Sequence, residues 1–395
     1  MQLYGENIFF ISLAVILVPA FILGYCEKPL KHYGMAATVF FVVMTMKDKP
    51  QALLYMLCFV WYEYILAQIF LRITTGEHGS RVAYPAFLIL SILPLTLHKI
   101  LIAMNGNAGI LAIIGISYMT FKAAQIIIEI SDGIIKELKP DEYIYLMLFF
   151  PTLLSGPIDR SRRFEEDIRR TIPREEYLEM AGNGLLKILL GMVYKLAIAS
   201  VFYLLMKKFG MDRTLISAAI YMYTYGFYLF FDFAGYSLMA VGTGYLLGVK
   251  VPDNFNKPFL SKDIQEFWNR WHITLSHWLR DYVFSRITMD LIRSGKVKDK
   301  LTIASIALMI NMLIMGCWHG LTGYYILYGL YHGVLLVLFE IIRKKSAFYK
   351  KHKKDKWFMV VSWFVTLHLV LVGFFIFSGR FTRGVAFLLR SHGLI

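Results

Sequence analysis

Apolar runs recur along the whole chain, at roughly 8–24, 34–46, 51–72, 82–104, 108–130, 141–155, 183–206, 214–231, 233–249, 300–318, 322–342 and 357–378. Many approach the ~20 residues that carry a helix across the hydrocarbon of a bilayer. Closed spans of this kind are helical, because lipid offers no partner for backbone N–H and C=O groups. The pattern predicts an all-α polytopic membrane protein with about ten or eleven transmembrane helices. These are expected to pack as one domain over residues 1–395.

Three stretches depart from the plain pattern. The run 141–155 ends in Leu154-Ser-Gly-Pro157, which breaks a helix, so it is expected to enter the membrane without crossing it. Leu215–Val249 is too long for one span and holds a single charge, Asp232; a bend at Asp232-Phe-Ala-Gly235 would divide it into two crossings. Residues 250–299 mix aromatic and charged side chains too evenly for a span. Within them Phe267, Trp271, Leu275, Trp278 and Leu279 recur at three- and four-residue steps, which predicts one amphipathic helix in the interface or against a polar cavity.

Polar segments give the orientation. Residues 286–300 carry five basic and two acidic side chains, and residues 343–356 carry eight and one. Both belong in the cytoplasm by the positive-inside rule, so the hairpin between them turns outward near Trp318–Gly323. Lys300 to His319 covers roughly 28 Å at about 1.5 Å per residue, which places His319 in the outer half of the membrane or at its outer surface.

Composition adds limits. Apolar residues make up 57% of the chain and charged ones only 17%, far from the balance of a soluble domain. The net charge of +15 reflects topology, and also offers a basic face to anionic lipid or an acidic partner. No nucleic-acid partner is expected. Cys26, Cys58 and Cys317 are far apart, with neither disulfide nor zinc spacing. The first run lacks the marks of a cleaved signal and reads as a first span.

Histidine is the side chain suited to general-base work near neutrality, and an ionisable group near a span is a functional candidate. His272 and His319 stand out, each in an aromatic, glycine- or arginine-bearing context. The bland alternative for each is a hydrogen bond to a neighbouring helix. His332, in Leu330-Tyr-His-Gly333, could face a cavity. His98 and His368 lie near spans without polar neighbours in sequence, and His32, His78, His352 and His392 sit in charged or terminal segments. His277 is five residues past His272 and does not share its face. Cys317 and His319, two apart, point differently, which argues against a Cys–His pair. Ser276, four after His272, leaves a Ser–His dyad open. Asp232, one acid in an apolar run, must be paired or protonated, and Lys99 and Lys122 raise the same question. Trp268, Trp271, Trp278 and Trp318 read as interface anchors or cavity walls.

Taken together, Asn254-Phe-Asn-Lys-Pro-Phe-Leu, Phe267-Trp-Asn-Arg-Trp-His272, Leu279-Arg-Asp-Tyr282 and Trp318-His-Gly320 resemble the central signature of the membrane-bound O-acyltransferases. Gly115-Ile-Ser-Tyr-Met-Thr-Phe121, Ser155-Gly-Pro-Ile158 and Phe231-Asp-Phe-Ala-Gly-Tyr-Ser237 extend the resemblance, so the catalytic core runs over about 115–333. The short length, Ile158-Asp-Arg, Arg162-Arg-Phe164 and Tyr331-His-Gly333 are more similar to the branch that D-alanylates teichoic acids in Gram-positive envelopes than to the polysaccharide O-acetylating branch. The resemblance implies spans around a central funnel in a bacterial plasma membrane, with His319 as catalytic base and His272 as the second histidine. It implies a D-alanyl donor held as a thioester on the 4'-phosphopantetheine of a cytoplasmic carrier protein, with no tightly bound cofactor. The acceptor would be teichoic acid or a protein relay outside, with a small single-span partner also possible. Asn269, Arg270, Trp271, Ser276, Trp318, Asp232 and His332 are the residues expected to line the tunnel or meet the carrier, with Asn269 or Arg270 available for an oxyanion.

Overall fold

The structure is a computed structural model, and it describes residues 3–74, 80–106, 108–210 and 214–391. His78 and His392 lie outside the described residues. The chain forms two compact units, each drawn from two stretches: residues up to Val193 with Gly235–Asp253, and Tyr194–Ala234 with Asn254 to the C-terminal end.

The first unit contains α1 (Asn7–Tyr25), α2 (Lys31–Met46), α3 (Pro50–Thr74), α4 (Ser80–Asn105), α5 (Ile116–Ser131), α6 (Pro140–Leu148), α7 (Ser161–Arg169) and α8 (Arg174–Met192). Outer helices such as α1 turn Ile11, Val15 and Val18 outward, as lipid-facing helices must. Helix α5 is the inner element, with nearly every side chain buried. Several of its polar groups are matched internally: Lys122 donates to the Leu146 carbonyl (2.8 Å), Gln125 to Glu129 (3.1 Å), and Ser161 to the other Glu129 oxygen (3.1 Å). Beyond α6 the helix ends at Leu148, several residues ahead of the Ser155-Gly-Pro157 signal, and one 3-10 turn (Phe150–Thr152) leads into the irregular segment that carries it. The charged segment then folds onto itself: Arg163 bridges Asp159 and Asp167, and also donates to the Lys250 carbonyl. The Arg162-Arg-Phe164 feature is thus a staple within this unit.

The second unit contains α9 (Ala199–Phe209), most of α10 (Leu215–Leu246), the short α11 (Ile264–Arg270) and α12 (Ile273–Leu279), and α13 (Ser285–Ser294). It continues through α14 (Lys300–His319), α15 (Gly323–Lys345), α16 (Ala347–His352), α17 (Lys356–Phe377) and α18 (Arg380–Ser391). The α14–α15 hairpin is where the charge argument places it, turning at Gly320–Thr322. Its helices touch backbone to backbone. A Cβ on Gly316 would lie 2.6 Å from the Tyr325 carbonyl, and one on Gly329 2.5 Å from that of Met312. Such close approach through glycines is how membrane helices associate when lipid removes the hydrophobic drive.

Two expectations are corrected. Helix α10 is a single helix of 32 residues, with no break at Asp232. The reason is a partner: Lys195, in the π turn Val193–Ile198 that joins α8 to α9, forms an ion pair with Asp232. The carboxylate needs no opening in its own helix to be satisfied. The single amphipathic helix is instead two, α11 and α12, broken at Trp271–His272. Among the described residues, seven helices are long and apolar enough to cross a bilayer. Several of the other apolar runs fold as helices of 16 residues or fewer, such as α2, α5 and α6. The chain is a multi-pass, all-α membrane protein.

Candidate active site

The site begins at the break between α11 and α12. His272 there takes a left-handed backbone (φ 45°, ψ 52°), a conformation that costs any residue with a Cβ and persists only when its surroundings impose it. The imposing element is the loop before α11. Asn256 N–H donates to the Arg270 carbonyl, and Ile273 N–H donates to the Asn254 carbonyl, both at 2.9 Å. The Asn254 side chain then reads the break: its Oδ1 accepts from Thr274 N–H (3.2 Å) and Thr274 Oγ1 (2.9 Å).

That same Oδ1 lies 3.2 Å from His272 Nδ1. A backbone N–H can only donate, so the atom facing Thr274 is the amide oxygen. For His272 Nδ1 to bond an oxygen it must carry the proton. The neutral ring therefore keeps Nε2 as its lone-pair nitrogen. His272 is 3% exposed and packs edge-on against Phe233 (4.8 Å) and near Trp318 (6.3 Å).

His319 is the last residue of α14, half-buried at the hairpin turn. Its ring is set by Trp318 (4.6 Å), Phe377 (4.9 Å) and Tyr325 (5.9 Å). Both histidines line one apolar cavity with Trp268, Trp271, Leu275, Tyr328, Phe374 and Phe377. Two imidazoles on a largely apolar wall form a place where a proton can be taken or given.

The residues between 82 and 378 match the family model described as the membrane-bound O-acyltransferase family. The chain belongs to the membrane-bound O-acyltransferase family. Some relatives are similar along nearly their whole length. The teichoic acid D-alanyltransferase of Bacillus subtilis is 37% identical over 95% of this chain and 98% of its own. That of Streptococcus thermophilus is 39% identical over 95% and 94%. The probable alginate O-acetylase of Pseudomonas syringae is 32% identical over 68% of this chain and 49% of its own length. The chain is thus a membrane-bound O-acyltransferase, and His272 and His319 line one cavity within it.

Other expected site residues fall into place by geometry. Trp271 is in the cavity wall, and Trp318 packs against both histidine rings. Ser276 Oγ donates to the Trp271 carbonyl (3.2 Å), so its hydroxyl serves the helix break, and the His272 ring bonds Asn254. Arg270 is bound to Glu266 (2.7 Å) and the Asn256 carbonyl (3.3 Å), and Asn269 is exposed; neither lines the cavity. Asp232 is held by Lys195 and is also outside the lining. His332 is wholly buried behind the wall, between Trp268 (5.1 Å) and Tyr328 (4.6 Å). Among the described residues neither of its ring nitrogens has a hydrogen-bond partner. His98 and His368 prove to be locally bonded, to the Leu111 carbonyl (2.6 Å) and to Tyr223 OH (2.6 Å).

Sequence reasoning passed over Asn254 as a functional residue. Its place in the Asn254-Phe-Asn-Lys-Pro-Phe-Leu motif was the available signal, but only the fold brings it to a histidine 18 positions away.

Proposed function

We propose that this acyltransferase moves a D-alanyl group to a hydroxyl on the outer side of a Gram-positive plasma membrane, for D-alanylation of (lipo)teichoic acid. One observation carries the reading: end-to-end similarity to teichoic acid D-alanyltransferases, against partial overlap with alginate O-acetylases. The donor is a D-alanyl thioester on the phosphopantetheine of a carrier protein, which the basic cytoplasmic segments would attract. The immediate acceptor is the polymer or a protein relay, with a small single-span protein as a further partner.

In this reading His319 takes the proton of the acceptor hydroxyl as its oxygen attacks the thioester carbon. The tetrahedral intermediate collapses with cleavage of the C–S bond, and the thiolate recovers the proton from the imidazolium. An ester and a free thiol result. His272, fixed in one tautomer, orients a reacting group through Nε2.

The test is the D-alanine ester content of teichoic acid in cells carrying the parent chain, His319→Ala or His332→Ala at matched membrane levels. Loss with His319→Ala and retention with His332→Ala is expected. Normal esters in the His319 variant would remove it as the base. Normal esters without the protein at all would favour polysaccharide O-acetylation instead.

A further inference from the structure

A second concavity in the C-terminal unit is larger than the histidine cavity and chemically unlike it. It is a groove of about 450 Å³ between α15 and α17, crossed at one end by the short α16. Its length is apolar: Leu338 and Ile342 on α15 face Val365 and Leu369 on α17. The groove is no accident of loose packing. Trp363 Nε1 donates to the Phe259 carbonyl (2.8 Å) and Thr366 Oγ1 to the Lys262 carbonyl (3.2 Å), which pins the loop before α11 against α17. Tyr349 packs on Phe339 and Phe358 and holds α16 across the end.

That end carries two lysines and one acid, Asp263. Lys262 and Lys353 both line it, and among the described residues neither is in an ion pair. Asp263, the acid nearby, is occupied in capping α11, where it accepts from Glu266 N–H (2.8 Å). Arg343 and Lys344 pair with Glu340 and His352 Nδ1 lies on Asp355, while Lys345, Lys350, Lys351, Lys354 and Lys356 extend the basic surface around α16. Two ammonium groups and one carboxylate, a net positive set, therefore sit at the head of an apolar trough between two helices long enough to span a bilayer.

We propose that this groove is a binding site for an anionic glycerophospholipid, with its acyl chains between α15 and α17 and its phosphate on Lys262 and Lys353. The trough is flanked by lipid-exposed side chains, Leu338 at 49% and Val365 at 48%, so its natural occupant is a lipid tail. Its lysine end coincides with the basic 343–356 segment, which the positive-inside rule assigns to the leaflet rich in anionic headgroups. The site is separate from the histidine cavity and does not depend on which acyl group the enzyme transfers.

Native mass spectrometry of the full chain, exchanged from detergent into equal phosphatidylglycerol and phosphatidylcholine of matched tails, tests the site. Phosphatidylglycerol adducts should predominate by about tenfold or more, given roughly fivefold for each lysine near a headgroup. Lys262→Gln with Lys353→Gln should remove that preference. Lys207→Gln with Lys208→Gln, the same charge change at the end of α9, should leave it intact. Val365→Trp, which fills the trough, should lower adducts of both lipids. Equal loss in the two lysine pairs would reduce the preference to net charge and overturn the proposal. Displacement of the lipid by equimolar glycerol 3-phosphate would also overturn it, because a tail-less headgroup would then suffice. Should the first lysine pair misfold, an unchanged adduct count in Val365→Trp would be decisive against the groove.

Discussion

The Asn254 carboxamide and the His272 imidazole are coupled through one oxygen, which also accepts from Thr274. The oxygen thus fixes a backbone break and a tautomer at once. Asn254→Ala should reduce acyl transfer by about ten- to a hundredfold, the range for removing the orienting partner of a functional histidine. Asn254→Asp keeps an acceptor and should recover part of the loss. An unchanged rate in Asn254→Ala at equal thermal stability would mean that the His272 tautomer is immaterial.

The glycine contact between α14 and α15 sets where His319 ends up. Gly316→Leu or Gly329→Leu should separate the hairpin and lower the thermal midpoint in detergent. Activity should fall with it, although both residues lie outside the cavity lining. Gly323→Ala, at a position whose added Cβ meets nothing within 4 Å, should be tolerated and serves as the control.

Lys195 and Asp232 predict an asymmetry. Lys195→Met leaves a carboxylate without its cation, at a cost of about 1–2 kcal/mol for a pair that is only partly buried. The double change Lys195→Met with Asp232→Leu removes both charges and should be closer to the parent in stability. A thermal or denaturant series on the three proteins gives the coupling directly. Additive effects would show that the pair contributes nothing.

Outside the spanning helices, Glu142 is held below the usual carboxylate range by hydrogen bonds from Arg169, opposed by burial and helped by Lys31. A carboxylate whose pKa is lower folded than unfolded contributes stability above its unfolded value. That contribution fades as pH falls through the folded value. The thermal midpoint of the parent should therefore drop more steeply below about pH 4.5 than that of Glu142→Gln. Parallel pH profiles would exclude this group as the source.

Much of this architecture is legible in the residues. The α14–α15 hairpin followed from apolar length and flanking charge, and the pairing of Asp232 followed from the cost of an isolated acid among apolar neighbours. Its consequence was misjudged, because Lys195 is 37 positions away and nothing local announces it. The break at Trp271–His272 was hidden for a different reason. Phe267, Trp271, Leu275 and Trp278 keep a helical step whether one helix or two present them, and periodicity does not report a single left-handed residue. Asn254 escaped because its role is tertiary.

Position 272 is under two independent demands. Under the proposed function its ring supplies a nitrogen to the cavity, and its backbone adopts a conformation that glycine and asparagine reach most easily. A saturation library at this position would therefore separate into two rankings. Sorted for folded protein, glycine and asparagine should be enriched; sorted for turnover, histidine alone should survive. The residue that would relax the main chain is the one that silences the enzyme, so selection for stability and selection for activity pull this codon in opposite directions.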